Sequence, residues 1–323
     1  MGSSPTPGTV TVGAMSFSSA LTYRDDFVAL FPGQGSIGPG AGVPWRSSPH
    51  WSVVGDVADA SGVDVERLLL HADADDVIRT DHAQLATFAL SLVGFRTLSQ
   101  LGWRPRYFLG HSLGEFSALV AANVLSLDEG ARVIAARGRA MARAAEATQG
   151  SMIAVMGADE GAREALTSIE GLWVANVNGE GQIVVSGTRD ALDKLLQRHR
   201  ELGWRRATPL PVGGAFHSPL MSSAQRDLDE ALDAVTWRES DGVVIANVDA
   251  SIPVDSRNWA TLLSRQLTAP IEFLDATRAL PQSVTNTVEM PPGNVLTGLT
   301  KRIRNFARQV TLTRPEDLQE LSL

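Results

Sequence analysis

Short apolar runs that lead into glycine-rich turns characterise the first part of the chain. Phe27–Phe31 runs into the segment Pro32–Ser36 (Pro-Gly-Gln-Gly-Ser), which predicts a buried strand followed by a loop. Residues 83–101 place apolar side chains at helical spacing. Tyr107–Leu109 then predicts a second short strand. After another glycine-rich turn, the segment Glu115–Ala122 again has helical periodicity.

From residue 151 the pattern changes to shorter units. The predicted elements are, in order, a strand at Met152–Met156, a helix at Glu160–Ile169, strands at Leu172–Val177 and Gln182–Ser186, a helix at Arg189–Glu201 and a strand at Arg206–Pro211. This βαββαβ order is typical of the ferredoxin-like arrangement. We therefore expect residues 150–212 to form a small ferredoxin-like subdomain that is inserted into a larger one.

The longer alternation of helix and strand returns after this segment. Gly242–Asn247 predicts another buried strand and Val295–Arg308 predicts a late helix. The sequence thus predicts an α/β fold, with a mostly parallel sheet in a large subdomain of residues 27–149 and 213–323. Residues 1–26 are rich in Gly, Ser, Thr and Pro, and we expect them to form a flexible tail.

Composition narrows the chemistry available to the protein. Cysteine is absent, which excludes disulfides, thiolate-rich metal sites and a cysteine nucleophile. The formal net charge of -8 argues against a nucleic-acid or anionic-membrane partner, because both need a basic surface. The longest strongly apolar stretch, residues 85–95, falls short of the ~20 residues that span a bilayer. The first 26 residues lack the features of a signal peptide, so we expect a cytoplasmic protein.

The sequence Gly110-His111-Ser112-Leu113-Gly114 is the strongest local signal of chemistry. It is a G-x-S-x-G motif between a predicted strand and a predicted helix, the context of the nucleophile elbow, and it makes the large subdomain α/β-hydrolase-like. The N-terminus of the following helix would favour an oxyanion beside Ser112. A glycine-rich turn in which the serine only caps a helix is the alternative, and the motif alone does not exclude it.

A serine nucleophile needs a base, and histidine is the usual one. Of the six histidines, His217 lies in the apolar, glycine-rich segment Gly213–Pro219, which suits close approach to another part of the chain. His71, His82 and His199 lie in polar stretches typical of solvated side chains. Spacing therefore makes His217 the first candidate for the base. The alternative is that His217 is a hydrogen-bonded histidine of the core.

Four segments form a set when taken in order: Phe31–Ser36, Gly110–Glu115, Gly214–Ser218 and Val295–Leu299. Together they resemble the successive signature motifs of the malonyl-CoA:acyl carrier protein transacylase family, which includes polyketide synthase acyltransferases. The resemblance runs from about Phe27 to Arg308. Four ordered motifs are more specific than one elbow.

The resemblance implies a role for individual residues. Ser112 matches the family nucleophile and His217 matches its base. The family orients this histidine with a backbone carbonyl, and Gln266 falls at the matching position. Gln34 and Leu113 match the residues whose backbone N–H groups form the oxyanion hole.

The resemblance also implies which acyl group is bound. Arg137 matches the family arginine that grips the free carboxylate of a malonyl group, which a planar guanidinium can hold bidentately. The alternative is that Arg137 lies on a solvated face of its helix, as most helix arginines do. Phe216, beside the matched base, accompanies malonyl in the family, whereas serine there accompanies methylmalonyl. Phe216 could equally be core packing. We also expect His111, next to Ser112, to bind substrate.

Three departures from the family pattern favour a specialised relative, such as a discrete, trans-acting acyltransferase of a polyketide pathway. Phe116 stands where tyrosine is frequent, and Ile37 stands where glutamine is frequent. Glu289–Gly293 (Glu-Met-Pro-Pro-Gly) replaces a usual Gly-Pro sequence.

The resemblance implies ping-pong transfer in fatty acid or polyketide biosynthesis. The donor is an acyl-CoA, most simply malonyl-CoA, and the acceptor is the phosphopantetheine thiol of an acyl carrier protein; no metal or redox cofactor is required. Carrier proteins are acidic, so docking needs a local basic patch. The candidates are Arg198, Arg200, Arg205 and Arg206 on the small subdomain and Lys301, Arg302, Arg304 and Arg308 on the late helix. The alternative for each of these residues is that it lies on an ordinary solvated surface. We expect the protein to be a monomer.

Other functions use the same residues. Water as acceptor would make the protein an editing thioesterase. A second carrier protein as donor would make it a transferase of a larger acyl chain, for which Arg137 is an awkward residue. A catalytically inactive docking module is disfavoured by the presence of Ser112, His217, Gln34 and Arg137 together.

Overall fold

The strands of the protein form two separate sheets. The computed structural model describes residues 23–158 and 161–322. The strands are β1 (Arg24–Phe31), β2 (Pro105–Gly110), β3 (Gly150–Met156), β4 (Leu172–Gly179), β5 (Gln182–Thr188), β6 (Arg206–Pro209), β7 (Val243–Val244), β8 (Asn286–Glu289) and β9 (Arg308–Thr311). The larger sheet has the order β7-β2-β1-β8-β9, and all its neighbouring strands are parallel.

Helices pack on both sheets and separate many of the strands in the chain. They are α1 (Ser52–Ser61), α2 (Val65–Leu70), α3 (Ala74–Ile78), α4 (Thr80–Gln100), α5 (Leu113–Ala121), α6 (Leu127–Thr148), α7 (Ala162–Thr167), α8 (Arg189–Arg198), α9 (Gln225–Asp233), α10 (Asn258–Gln266), α11 (Phe273–Arg278) and α12 (Val295–Ile303). Strand β1 is apolar and buried from Phe27 to Phe31, as expected of a parallel strand covered on both faces. The α/β fold with a parallel sheet, predicted from the sequence, is confirmed.

The smaller sheet is antiparallel, with the order β4-β5-β3-β6. Together with α7 and α8 these strands follow the chain order βαββαβ, so the ferredoxin-like arrangement is also confirmed. Its own apolar core includes Ile153, Val155, Leu166, Val185 and Leu192. The division of the chain at residues 150 and 213 stays a prediction.

Two predicted strands have different limits in the structure. Strand β1 begins at Arg24, inside the predicted tail, because Arg24 pairs with Pro105 and its N–H donates to Arg104 O. The rest of that tail, up to residue 22, lies outside the described residues, as does Glu160 at the start of a predicted helix. Strand β7 covers only two residues of the predicted Gly242–Asn247. Beyond it, the N–H groups of Ala246 and Asn247 donate to Ser251 O and Glu115 Oε1 instead of to a neighbouring strand.

The late helix is shorter than predicted, and this changes the position of two candidate docking residues. Helix α12 ends at Ile303 instead of Arg308. Phe306 beyond it is buried, and Arg304 donates to the backbone carbonyls of Leu280, Pro281 and Val284. Arg308 begins strand β9. The prediction that Arg304 and Arg308 lie on the late helix was therefore wrong.

Within residues 23–158 and 161–322, no helix has the length and apolar character needed to cross a membrane.

Candidate active site

The turn between β2 and α5 exposes Ser112 at the edge of the larger sheet. Ser112 has φ 53°, a conformation rare for a non-glycine residue. The residues two places before and after it must be glycines: a Cβ on Gly110 would lie 2.1 Å from Glu115 N, and one on Gly114 would lie 1.9 Å from Phe31 O. The tight turn of the elbow onto its own helix explains Gly110, and close packing of the elbow against β1 explains Gly114.

Asn247, which follows strand β7, holds this turn with its side chain. Its Oδ1 accepts the Ser112 N–H at 2.7 Å, and its Nδ2 donates to Gly110 O at 2.9 Å. The side chain is fully buried. Two hydrogen bonds from one side chain thus fix the backbone on both sides of His111.

Ser112 and His217 are brought together, although 105 residues separate them. Ser112 Oγ lies 2.8 Å from His217 Nε2, and His217 Nδ1 lies 2.7 Å from Gln266 O. A carbonyl oxygen can only accept, so Nδ1 carries the proton and donates it. Nε2 is then free to accept the serine hydroxyl. This is the tautomer that a general base requires.

His217 stays neutral over the physiological pH range. Burial, together with the positive charge of Arg137, lowers the pKa of His217 to about 3, against the opposing hydrogen bond to the Gln266 carbonyl. The side chain is only 4% exposed. A neutral imidazole beside Ser112 can take up a proton during the reaction.

Arg137 is buried inside the protein, contrary to the usual place of a helix arginine. It lies on α6, whose first turn carries a capping box between Ser126 and Glu129, and it faces inward with 0% exposure. Its Nη2 donates to Ser112 Oγ at 3.2 Å. Burial lowers the pKa of Arg137 to about 10, so the guanidinium remains charged near neutral pH.

Two glutamine side chains hold the guanidinium. Arg137 Nη1 donates to Gln84 Oε1 at 2.6 Å, and Nη2 donates to Gln266 Oε1 at 2.8 Å. Gln84 Nε2 in turn donates to Thr80 Oγ1, and Thr80 Oγ1 donates to Gln34 Oε1. A continuous chain of hydrogen bonds therefore joins Gln34 to the arginine and, through it, to the serine.

Gln34 and Leu113 each begin a helical segment. Gln34 is the first residue of a 3₁₀ helix, Gln34–Ser36, and Leu113 is the first residue of α5. The first N–H groups of a helix have no partner within that helix, so both are available as donors to an oxyanion.

A cavity of about 280 Å³ opens beside Ser112 and His217, between the two sheets. Phe216 and His111 line it, together with residues of β3, β4, β5 and α12. His111 Nε2 lies 2.9 Å from Asn178 Oδ1 on β4, and this bond joins the two sheets across the cavity. Burial lowers the pKa of His111, against the opposing hydrogen bond to Asn178 Oδ1.

The candidate docking residues do not form one cluster of free charges. Arg200, Arg205 and Lys301 are exposed. The others have local partners: Arg198 pairs with Glu201, Arg206 donates to Thr208, Arg302 donates to Gln182, and Arg304 binds backbone carbonyls. Arg308 is half-buried on β9.

Sequence reasoning missed four residues of the site. Thr80, Gln84, Glu115 and Asn247 are all buried, and none had been singled out as a site residue. Gln84 had a signal, since it is polar within the apolar run Ala83–Ala86 of a predicted helix. Glu115, a carboxylate in the first turn of an otherwise apolar helix, had another.

Comparison with known proteins identifies the family of the chain. The family model of the acyl transferase domain matches residues 30–310. The malonyl CoA-acyl carrier protein transacylase of Bacillus subtilis (strain 168) is 35% identical over 299 residues, which cover 90% of this chain and 94% of that protein. The protein of the same name from Staphylococcus aureus (strain MRSA252) is 32% identical over 300 residues, which cover 90% of this chain and 96% of that protein.

Solved structures give the same result. The malonyl-CoA:acyl carrier protein transacylase (FabD) of Xanthomonas oryzae pv. oryzae is 33% identical, with a TM-score of 0.88 over 93% of this chain and 98% of that one. A malonyl-transacylase solved in complex with its type II PKS acyl-carrier protein is 29% identical, with a TM-score of 0.86 over 91% and 98% of the two chains. The resemblance predicted from four motifs is confirmed: the chain belongs to the acyl transferase domain family, among the malonyl-CoA:acyl carrier protein transacylases.

Proposed function

We propose that this protein transfers a malonyl group from CoA to the phosphopantetheine thiol of an acyl carrier protein, through an acyl-enzyme on Ser112. The observation that carries the proposal is the meeting of three groups at Ser112 Oγ, beside the cavity that Ser112 and His217 line. Ser112 Oγ lies 2.8 Å from a neutral His217 and 3.2 Å from the buried guanidinium of Arg137. A nucleophile, its base and a cationic clamp are what attack on a dicarboxylic thioester requires.

In the first half-reaction, Ser112 Oγ attacks the thioester carbonyl while its proton moves to His217 Nε2. The N–H groups of Gln34 and Leu113 stabilise the oxyanion that forms. The C–S bond then breaks, and the proton on His217 passes to the departing CoA thiol. The serine ester keeps the malonyl group in place.

The second half-reaction runs the same steps with a different thiol. His217 takes the proton of the phosphopantetheine thiol, whose sulfur attacks the ester carbonyl on Ser112. The ester bond breaks and His217 returns the proton to Ser112 Oγ. The residues of the chain supply all the groups that these steps need, so the reaction requires no metal or redox cofactor.

Arg137 favours malonyl over a long acyl chain. Its guanidinium is fully buried beside Ser112 Oγ, so an apolar chain bound there would leave this charge without an anionic partner. The free carboxylate of a malonyl group supplies that partner and can be held bidentately. The guanidinium therefore argues against a transferase of larger acyl chains.

The proteins that this chain resembles support the partners. The relatives bear the name malonyl CoA-acyl carrier protein transacylase, and one structural neighbour was solved with an acyl-carrier protein of a type II PKS. We assign this chain the same substrate and class of partner, in fatty acid or polyketide biosynthesis. Cytoplasmic location, the monomeric state and use in a trans-acting polyketide system stay predictions.

The experiment is transfer to a holo acyl carrier protein. Labelled malonyl-CoA and the carrier protein are mixed with wild type, Ser112→Ala, His217→Ala and, as a matched control, Ser223→Ala at an exposed serine. We expect rapid labelling of the carrier protein with wild type and the control, and none above background with the other two. Release of free malonate instead of labelled carrier would favour the thioesterase.

A further inference from the structure

Glu115 is a buried carboxylate to which the proposed reaction gives no step. It is the third residue of α5 and is 1% exposed. Its Oε1 accepts the Asn247 N–H at 2.9 Å, and its Oε2 accepts a short hydrogen bond from Gln266 Nε2. A buried carboxylate is costly to keep, so its partners are informative.

The partner on Oε2 is the side chain that also holds Arg137. Gln266 Nε2 donates to Glu115 and to Ser112 O, and Gln266 Oε1 accepts from Arg137 Nη2. A carboxylate only accepts and a guanidinium only donates. The amide of Gln266 therefore has one orientation that satisfies both neighbours, with its oxygen toward the arginine.

Loss of the carboxylate would disturb this arrangement. Glu115 accepts from one donor at each oxygen, whereas glutamine at position 115 has a single amide oxygen, so its NH₂ group would face either the Asn247 N–H or Gln266 Nε2. Ser112 O and Arg137 oppose a turned-over Gln266 amide, so the amide would be displaced, and the guanidinium would lose one of the two amide oxygens that hold it. No part of Glu115 lines the cavity, so any effect on substrate passes through its partners. An effect through Asn247 would reach the serine elbow and slow all acyl donors alike, whereas an effect through Gln266 would reach Arg137.

We infer that Glu115 is a positioning residue for Arg137: its negative carboxylate fixes the Gln266 amide and thereby gives the site its preference for acyl donors that carry a free carboxylate. The inference rests on the proposed function, because Arg137 grips that carboxylate there. Acyl donors without a free carboxylate do not need this contact with Arg137.

The first test compares acylation of Ser112 by malonyl-CoA and acetyl-CoA, followed by intact mass. In Glu115→Gln, which keeps the size and removes the charge, we expect the ratio of malonyl to acetyl rates to fall on the order of tenfold. Acetylation itself should change little. Glu239→Gln, at an exposed glutamate, is the matched control and should keep the wild-type ratio. An unchanged ratio in Glu115→Gln would overturn the inference.

The pH dependence of the same ratio separates positioning from a merely structural role. The pKa of Glu115 is raised to about 7, mainly by burial. The negative charge of Asp249, which is itself paired with Arg265, adds to this rise. The hydrogen bonds from Asn247 and Gln266 and the charge of Arg137 oppose it. The wild-type ratio should therefore fall as the pH drops from 8 to 6, while the ratio in Glu115→Gln stays low and flat. A flat wild-type ratio, or the same slope in both proteins, contradicts the inference.

A second variant keeps the test decisive if Glu115→Gln does not fold. Gln266→Met removes the amide and keeps the backbone carbonyl that binds His217. We expect it to lower the malonyl-to-acetyl ratio as well; a wild-type ratio would overturn the inference. Where both single variants fold, the double variant should lose no more than the larger single loss. Wild type that takes no malonyl at all removes the proposed function, and with it this inference.

Discussion

Ser112 and His217 both adopt backbone conformations that non-glycine residues rarely take, with φ 53° and 56°. Such strain costs about 1 to 3 kcal/mol per residue and persists only where surrounding contacts enforce it. Here the contacts are the two Asn247 hydrogen bonds at the elbow and the Gln266 carbonyl at the histidine. At the scale of the residue, the site is held before any substrate arrives.

The low pKa of His217 gives a prediction for the pH profile. Burial depresses the pKa of this group to about 3, so its neutral form persists as the pH falls through 6.5, the ordinary value for histidine. With acetyl-CoA, which makes no demand on Arg137, the rate constant of Ser112 acylation should stay nearly constant from pH 8 to pH 5. Rapid-mix sampling and intact mass measure it. A fall with a midpoint near 6.5 would contradict the assignment.

Phe216 gives a prediction about the size of the acyl group. It is 4% exposed and lines the cavity next to His217, so its ring limits the space for a branch at the α-carbon of the acyl group. Phe216→Ser should raise the methylmalonyl-to-malonyl ratio of acylation rates by about tenfold, as expected when a pocket gains room for one methyl group. Competition between the two CoA esters, followed by mass spectrometry, checks this. An unchanged ratio would make Phe216 a packing residue.

The sequence predicted Ser112 from a local motif, it predicted Arg137 and Gln266 only through the family resemblance, and it missed other residues that act through distant contacts. Ser112 stands between two glycines in a strand-turn-helix pattern, which has a local physical reason. Gln84 and Asn247 have no such pattern, because their partners Arg137 and Ser112 lie far along the chain. A buried amide cannot be assigned a role until the fold shows what it faces.

At the scale of the element, α12 depends on a buried carboxylate. Glu289 ends β8 and accepts the backbone N–H groups of Val295, Leu296 and Thr297 at 3.1, 2.9 and 2.7 Å. These are the first N–H groups of the helix, which have no partner within it. Val295, Leu296 and Leu299 of this helix line the cavity. Glu289 thus connects the sheet to one wall of the site.

Glu289→Gln should therefore destabilise the protein. The substitution places an NH₂ group among backbone donors in a fully buried position, and we expect a loss of about 2 to 3 kcal/mol in the free energy of unfolding. Denaturant titration measures it against wild type. Glu239→Gln, at an exposed site, should change the value by less than about 0.5 kcal/mol. A loss of the same small size in Glu289→Gln would mean that the carboxylate contributes little.

The end of α12 shows the limit of periodicity as a guide. The apolar spacing through Ile303 and Phe306 is compatible with one continuous helix, which the sequence predicted up to Arg308. In the structure Phe306 is buried from an irregular segment between α12 and β9, and the Arg304 guanidinium binds three carbonyls of the loop after α11. Tertiary contacts decide the end of the helix, and they are not visible in the spacing.

At the scale of the whole molecule, contacts connect the part of the chain that forms the smaller sheet to the part that forms the larger one. Strand β4 pairs with the segment at Ile271, where Val177 N donates to Ile271 O at 2.8 Å. Arg163 pairs with Glu272, and Arg302 at the end of α12 donates to Gln182 on β5. The substrate cavity therefore lies between two units that several polar contacts connect.

Docking of the acidic carrier protein depends on charges spread over the surface of the whole molecule. Reversal of two exposed charges, Lys301→Glu with Arg205→Glu, should raise the apparent KM for carrier protein by several-fold to tenfold, because charges at the rim steer association. Self-acylation by malonyl-CoA should not change. Arg226→Glu, on α9 and away from the cavity lining, is the matched control. Unchanged kinetics in the double variant would exclude these residues from docking.

The most direct test of the central claim is intact mass after brief exposure to malonyl-CoA. Wild type should gain one malonyl group, Ser112→Ala should gain none, and Arg137→Ala should be labelled at least tenfold more slowly by malonyl-CoA, while its labelling by acetyl-CoA persists. Malonyl labelling that survives in Ser112→Ala, or a wild type that no malonyl-CoA labels, would contradict the account.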